Sequence, residues 1–278
     1  SATYIALATS FFDVESAIVS IVGRDFPQDY LKKLSKRNIN LEGVEIDNSG
    51  DTFYWKGRYH KNLNRRDTLV TELNTLANFN PIVPDRFKDA EVALLGNLHP
   101  RIQLSVLDQI NPDKTTIILD TMNYWIEGTW DELVQVVAKT DVITINDEEA
   151  LQMTNATNVL SAAKKISNMG PSYVIIKKGE HGALLYHNEQ TFLAPAVVLD
   201  NVVDPTGAGD SFAGGLAGFL ASQPKHDFET MKTAMVYGSS VASFCVTDFG
   251  TKSIVNTTIS QITERVEDLK TLVRFEVN

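Results

Sequence analysis

The stretch Asp204-Pro205-Thr206-Gly207-Ala208-Gly209-Asp210-Ser211-Phe212-Ala213-Gly214-Gly215 passes from a proline-marked turn, through two glycines, into an apolar-periodic segment. Residue types in that order suit phosphate chemistry. Glycines let backbone N–H groups come close to a ligand. A helix N-terminus adds unpaired N–H groups and the positive end of the dipole, so Gly207, Ala208 and Gly209 are candidates for an anion hole. Asp210 falls on the first turn, where its carboxylate is placed to take a proton from an attacking hydroxyl. General-base help of this kind is worth about 10² to 10⁴ in rate, and the rest of phosphoryl transfer is positioning and charge neutralisation. A plain helix start would also favour Asp there, but it leaves the glycines before and after Asp210 without a reason.

Other phosphate motifs fail. Gly209 and Gly214 have P-loop spacing, yet Gly215 is followed by Leu216 rather than Lys-Ser/Thr. The dinucleotide fingerprint needs a glycine where Phe212 stands. Asp248-Phe249-Gly250 spells the protein-kinase magnesium triplet, but no catalytic loop accompanies it, so the match is coincidence.

The elements that must position this segment follow from hydropathy. Val92–Leu95, Thr116–Leu119, Val142–Ile145 and Tyr173–Ile176 are near-continuous apolar runs, as expected of parallel strands covered on both faces. Helical periodicity lies between them, with Thr129 and Glu132 spaced as a capping box and Gly170 ending another helix. Gly182–Tyr186 and Thr191–Ala194 read as a hairpin. Alternation of this kind predicts an α/β fold with a doubly wound, mostly parallel sheet. Nearer the N-terminus, residues 1–12 read as helix, Ser16–Val22 as strand and Pro27–Lys36 as helix. Residues 44–84 break into short aromatic or β-branched runs that read as a small antiparallel sheet. The expected division is residues 1–40 with 85–278 as the α/β domain and 41–84 as a β-sheet lid. Ligands of such sheets bind beyond the carboxyl ends of the strands. There the polar loops are Gly96-Asn97, Asp120-Thr121-Met122-Asn123, Asn146-Asp147-Glu148-Glu149 and Lys178-Gly179-Glu180-His181-Gly182.

The chain has 278 residues, 43% of them hydrophobic, and a net charge of −10. That charge argues against a general nucleic-acid or membrane-surface binder. No stretch has the length of a membrane span. One cysteine, Cys245 in an apolar run, excludes an intramolecular disulfide framework and reads as a core residue. A reducing cytoplasmic setting is the expectation.

Asp204-Pro205-Thr206-Gly207-Ala208-Gly209-Asp210-Ser211-Phe212 resembles the second signature of the PfkB/ribokinase family, whose members phosphorylate sugars, nucleosides and related alcohols. The resemblance runs through essentially the whole chain in motif order. It implies ATP and Mg2+ as cofactors, Asp210 as base and Gly207, Ala208 and Gly209 as the anion hole. Asn146 and Glu149 match the N-x-x-E motif, which places magnesium, through water at Glu149, and phosphate. Lys178, Gly179 and Gly182 match the glycine turn beside the nucleotide, with Thr206 in the phosphate loop and Gly250 closing the stretch from Ala242 that lines the adenine pocket. Asp204 is the place where some members bind a monovalent cation such as K+. Family members also have a strand and an acidic substrate contact ahead of a Gly-Gly pair, and Ser1-Ala2-Thr3 resembles the residues after that pair, so the resemblance implies that the sequence is incomplete at that end.

Asn97 and Asn123, after strands, and Arg58, in the lid, are candidate contacts to a sugar or nucleoside. Arg58 belongs to a local basic cluster with Tyr59, His60, Asn64, Arg65 and Arg66. Tyr54 and Trp55 are aromatic surfaces for a ligand or for a lid-to-lid homodimer. A non-catalytic nucleotide- or sugar-sensing protein on the same scaffold is the competing reading. Retention of Asp210 with both glycines speaks for catalysis.

Overall fold

The structure, a computed structural model, describes residues 1–60, 63 and 66–276. Asn64 and Arg65 of the basic cluster therefore lie outside the described residues. The chain opens with α1 (Ala2–Thr9), β1 (Ser16–Gly23), α2 (Gln28–Ser35) and β2 (Ile39–Asp47), then the pair β3 (Tyr54–Tyr59) and β4 (Arg66–Glu72). The alternating part follows: β5 (Val92–Leu95), α3 (Pro100–Leu107), β6 (Thr116–Asp120), α4 (Asn123–Gly128), α5 (Trp130–Val137), β7 (Val142–Asn146), α6 (Asp147–Thr154), α7 (Val159–Ser167) and β8 (Tyr173–Lys177). The hairpin β9 (Ala183–His187) and β10 (Gln190–Ala194) leads to α8 (Ala208–Ala221), α9 (Phe228–Cys245), α10 (Lys252–Asn256) and α11 (Ile259–Val273).

Strands β5 to β8 form the parallel body of a six-stranded sheet in the order β10-β9-β8-β7-β6-β5, with β9 and β10 added antiparallel. Because side chains alternate along a strand, each apolar run feeds two cores. Ile117, Leu119, Ile143, Ile145, Val174 and Ile176 face the α3–α7 layer. Ile118, Val142 and Ile175 face α8 and α9, where they meet Phe212, Leu216, Leu220 and Met235. Two buried faces explain why the strands read as continuous apolar runs rather than alternating ones.

Two expectations change. Val44–Asp47 belongs to β2, which pairs in parallel with β1 rather than antiparallel within the lid. The amphipathic α2 between them supplies the crossover that parallel pairing needs, so β1-α2-β2 is a βαβ unit and the expected boundary at residue 41 cuts through β2. The antiparallel ladder is β3 with β4. The Thr129 capping box does not form. Thr129 Oγ1 donates to the Trp125 carbonyl at 3.1 Å instead, because α4 ends immediately before α5 begins. Among the described residues no helix is long and apolar enough to cross a membrane.

Helix α8 is seated by glycines on two of its faces. A Cβ on Gly214 would lie 2.5 Å from the Ile5 carbonyl oxygen of α1, and one on Gly215 would lie 3.1 Å from Gly238 Cα of α9. Thr9 Oγ1 lies between the Ile5 carbonyl of its own helix at 2.9 Å and the Gly214 carbonyl at 3.2 Å, so its one proton is shared across the α1–α8 crossing. Gly214→Ala is therefore expected to lower the melting temperature. The gain in helix propensity, about 1 kcal/mol, is smaller than the roughly 1–3 kcal/mol of overpacking against a backbone atom. A variant that melts at or above the wild-type temperature would contradict this account of the crossing.

Cys245 packs with Ala6, Leu7, Ile18 and Ile254, and burial pushes its thiol up from 9.0 to about 11. The native thiol should stay unreactive toward a disulfide reagent at about pH 8 and react only on unfolding. The folded state holds this proton more tightly than the unfolded one, so its contribution to stability is complete below 9.0 and is lost as pH rises toward about 11. Urea midpoints of wild type and Cys245→Ala across that window would read the difference, and a constant difference would refute it.

Candidate active site

The carboxyl ends of β6, β7 and β8 meet the N-terminus of α8. Gly207 is the N-cap of α8 with φ 82°, and the ring of Tyr4 fills the space where a Cβ would stand, 2.4 Å away. The first i→i−4 bond of the helix runs from Ser211 N to the Gly207 carbonyl at 2.8 Å. The N–H groups of Gly209 and Asp210 precede it and have no intrahelical acceptor. Ahead of the helix, Thr206 N donates to Asp204 Oδ1 at 2.9 Å, and Val203 N donates to the Val246 carbonyl at 2.8 Å. The Cys245 thiol lies against the Thr206 carbonyl at 3.5 Å. Asp210 is half-buried on the first turn of α8, as the sequence indicated.

Asn146 and Glu149 form a reciprocal cap. Glu149 N donates to Asn146 Oδ1 at 2.7 Å, and Asn146 N donates to Glu149 Oε2 at 3.1 Å. This capping box opens α6 and holds the carboxylate of Glu149, 6% exposed, at the end of β7. The motif therefore has a structural role beside any role toward magnesium.

The sequence reading missed Lys177 and understated Asp120. Strand alternation puts Asp120, Thr144 and Lys177 on the α8 side, two residues beyond Ile118, Val142 and Ile175. Lys177 Nζ donates to Asp120 Oδ1 at 2.7 Å, and Thr144 Oγ1 donates to the same oxygen at 3.0 Å. A Cβ on Gly209 would lie 3.3 Å from Lys177 Nζ, so the ammonium sits against the N-terminus of α8. Burial opposes the charge of Lys177. The neighbouring Asp120, by attraction and hydrogen bond, then Glu149 and Asp210, outweigh burial and leave its pKa raised. The period-two pattern of β6, β7 and β8 was the signal that could have found this cluster.

Lys178 follows on β8's other side, half-buried, and its N–H donates to the Gly182 carbonyl at 2.7 Å. Gly179 and Gly182 have φ of 55° and 82°, and a Cβ on Gly182 would lie 2.1 Å from the Ala194 carbonyl, so this turn is also dictated by the β9–β10 hairpin. Gly250, φ 63°, lies near the Tyr4 hydroxyl, which would be 4.0 Å from its Cβ. Phe244, Thr247, Asp248, Ser253 and Asn256 line a groove beside it. Tyr4 belongs to the site although only a helical pattern was read there. Burial, then the nearby Cys245, Asp204, Asp210 and Tyr59, push its hydroxyl well above the usual tyrosine range.

On the acceptor side, Asn97 Oδ1 accepts from Trp125 Nε1 at 2.8 Å and Asn97 Nδ2 faces Met122 Sδ at 3.0 Å. Asn123 begins α4 and is exposed. Arg58 is exposed and points to the opposite face of β3 from Tyr59. The lid residue that reaches the phosphate loop is Tyr59, whose hydroxyl accepts from Thr206 Oγ1 at 3.2 Å. Trp55 lies over Gly57 within the lid, with its Nε1 donating to Thr68 Oγ1 at 3.3 Å.

A family model described as "pfkB family carbohydrate kinase" matches residues 1–258. The chain is 30% identical over 228 residues to a cytidine kinase of Thermococcus kodakarensis, covering 81% of each. Its fold matches a nucleoside kinase of Burkholderia thailandensis in complex with inosine, at TM-score 0.77 and 21% identity over 96% of this chain and 86% of that one. It likewise matches a fructokinase of Vibrio cholerae O395 at TM-score 0.77 and 16% identity, over 95% and 89%. With a glycine-opened helix aimed at three strand ends and a family match along most of its length, the chain belongs to the pfkB family of carbohydrate kinases and is a kinase of a sugar or nucleoside.

Proposed function

We propose that the acceptor is a nucleoside and that Asp210 takes the proton of the attacking hydroxyl. The observation that carries the roles is the position of Asp210, on the first turn of α8 beside the unpaired N–H groups of Gly209 and of Asp210 itself. The similarity to a cytidine kinase along 81% of both chains supports the nucleoside.

The residues present fit MgATP. A helix N-terminus with free N–H groups, a glycine within 3.3 Å of an ammonium at its Cβ position, and the ordered carboxylate of Glu149 make a cradle for a polyphosphate and its cation. MgATP supplies the γ-phosphoryl group and, through the metal, a countercharge. Gly207 and Gly209 orient the phosphate by backbone N–H groups, with Thr206 beside them; the expected donor Ala208 is engaged, its N–H donating to the Pro205 carbonyl at 3.1 Å. Glu149 would hold magnesium through water, and Asn146 fixes Glu149. Lys178, Gly179, Gly182 and Gly250 border the nucleotide. Asp204, in a loop tied to Val246, is the place for a monovalent cation. Asn97, Asn123 and the β3–β4 lid border the acceptor, and the Tyr59 hydroxyl closes the lid onto Thr206.

An ADP-release assay with MgATP, with and without potassium, against nucleosides, sugars and sugar phosphates tests this reading. Nucleoside-dependent release is the expected result, and release with a sugar alone would move the acceptor to that class. Asp210→Asn should lower kcat by about 10² to 10⁴ while ATP binding persists, and turnover near wild type would remove Asp210 from the role of base. Exposed Tyr54 and Leu69 on the lid support a homodimer contact there. Leu69→Glu should then convert a dimer to a monomer in sedimentation, and an unchanged sedimentation coefficient would refute the contact.

A further inference from the structure

We propose that Lys177 is a catalytic residue that donates a hydrogen bond to the phosphoryl group in flight, with Asp120 and Thr144 as the tether that aims it; this rests on the phosphotransfer reading above. Three independent features converge on it. First, the geometry is built: adjacent strands β6, β7 and β8 each contribute one polar side chain on the α8 face, and all three meet at Asp120 Oδ1, with Lys177 Nζ at 2.7 Å and Thr144 Oγ1 at 3.0 Å. Second, the ammonium reaches the right place, since Nζ stands 3.3 Å from where a Cβ on Gly209 would be, against the backbone that forms the anion hole. Third, the pair is enclosed, with side-chain exposures of 17% for Lys177 and 9% for Asp120.

A charge pair in such a place is a poor device for stability alone, because desolvation offsets most of the attraction. Its value is as a preoriented donor. An ammonium has three donors, and Asp120 uses one of them in the structure. Phosphoryl transfer proceeds through a loose transition state with negative charge spread over the equatorial oxygens. Donors already aimed at those oxygens in an enclosed site stabilise it without reorganisation. The carboxylates of Asp120, Glu149 and Asp210 all bear on this one ammonium, so without it the transferred group would face acidic side chains with only the helix terminus and the metal in opposition. No covalent step is added. The acceptor oxygen bonds to the γ-phosphorus, ADP leaves with the bonding electron pair, the acceptor proton goes to Asp210, and Lys177 stays protonated throughout.

The test compares wild type, Lys177→Met and the double variant Asp120→Asn/Lys177→Met. Affinity is measured for MgADP and for MgADP with aluminium fluoride, which mimics the phosphoryl group in flight, and kcat and KM are measured with the acceptor from the panel. The proposal expects MgADP affinity and acceptor KM to hold in both variants, while fluoroaluminate affinity and kcat fall by about 10² to 10³. The double variant guards against an unpaired buried carboxylate as the cause of the loss. If it regains wild-type fluoroaluminate affinity, Lys177 only neutralises Asp120 and the proposal falls. Equal fluoroaluminate gains in wild type and Lys177→Met would overturn the proposal alone. A wild type that gains no affinity from fluoroaluminate would overturn the phosphotransfer reading together with it.

Discussion

The site depends on where the N-terminus of α8 is held. A helix terminus works as an anion hole only if its first N–H groups point at a fixed spot. Here α8 is wedged between α1 and α9, with glycine on both contact faces so that the backbones approach closely. Below the terminus, Phe212, Leu216 and Leu220 anchor the same helix to the sheet. The sheet face that receives them carries Asp120, Thr144 and Lys177 two residues further along its strands. Burial of one apolar surface therefore sets the distance between the N-terminus of α8 and the polar strand ends. That distance is a consequence of core packing rather than of loop conformation.

The electrostatics of the site have a direction. Carboxylates come from the end of β6 (Asp120), from α6 (Glu149) and from the first turn of α8 (Asp210), while the α8 N–H groups and Lys177 carry the positive charge. A polyphosphate brings more negative charge into a place that already holds Asp120, Glu149 and Asp210. That arrangement is unfavourable until cations balance it, so on the proposed reading a metal ion and the ammonium would be complementary rather than redundant. The capping box on Glu149 has the same logic, since a carboxylate fixed by a backbone N–H is preoriented toward whatever cation it serves.

Much of this was legible in the sequence because the relevant signals are local. Continuous apolar runs marked β5 to β8, and the glycines around Asp210 marked the start of α8. What escaped notice was set by non-local geometry. The pairing of Val44–Asp47 depends on β1, some twenty residues away in the chain as given by its register with Ser20–Gly23. Tyr4 was readable only as part of a helix, yet the α1–α8 crossing brings its ring onto Gly207. Lys178 was singled out over Lys177 because it adjoins the glycine turn. Counting by twos from Ile175 puts Lys177, not Lys178, on the face toward α8. Asn97 was legible as a polar residue after a strand, but its contact with the indole of Trp125, which fixes the orientation of its amide, was not. Sequence spacing names the residue types of a site, while strand parity and helix crossings decide which of them face it.

The lining of the phosphate loop follows from the same electrostatic constraint. Beside the carboxylates of Asp204 and Asp210, the loop is bordered by the polar groups of Tyr4, Tyr59, Thr206 and the Cys245 thiol. Burial pushes the Tyr4 hydroxyl and the Cys245 thiol upward, so neither becomes an anion beneath the helix terminus under ordinary conditions. A thiolate or phenolate there would offset the positive end of the α8 dipole and compete with any anion bound at that terminus. Hydroxyl groups can also exchange partners at little cost. The contact from Tyr59 to Thr206 thus joins lid and loop without committing charge to either. The β3–β4 pair thus meets the loop ahead of α8 through a neutral hydrogen bond, which leaves the N–H groups at the helix terminus uncommitted.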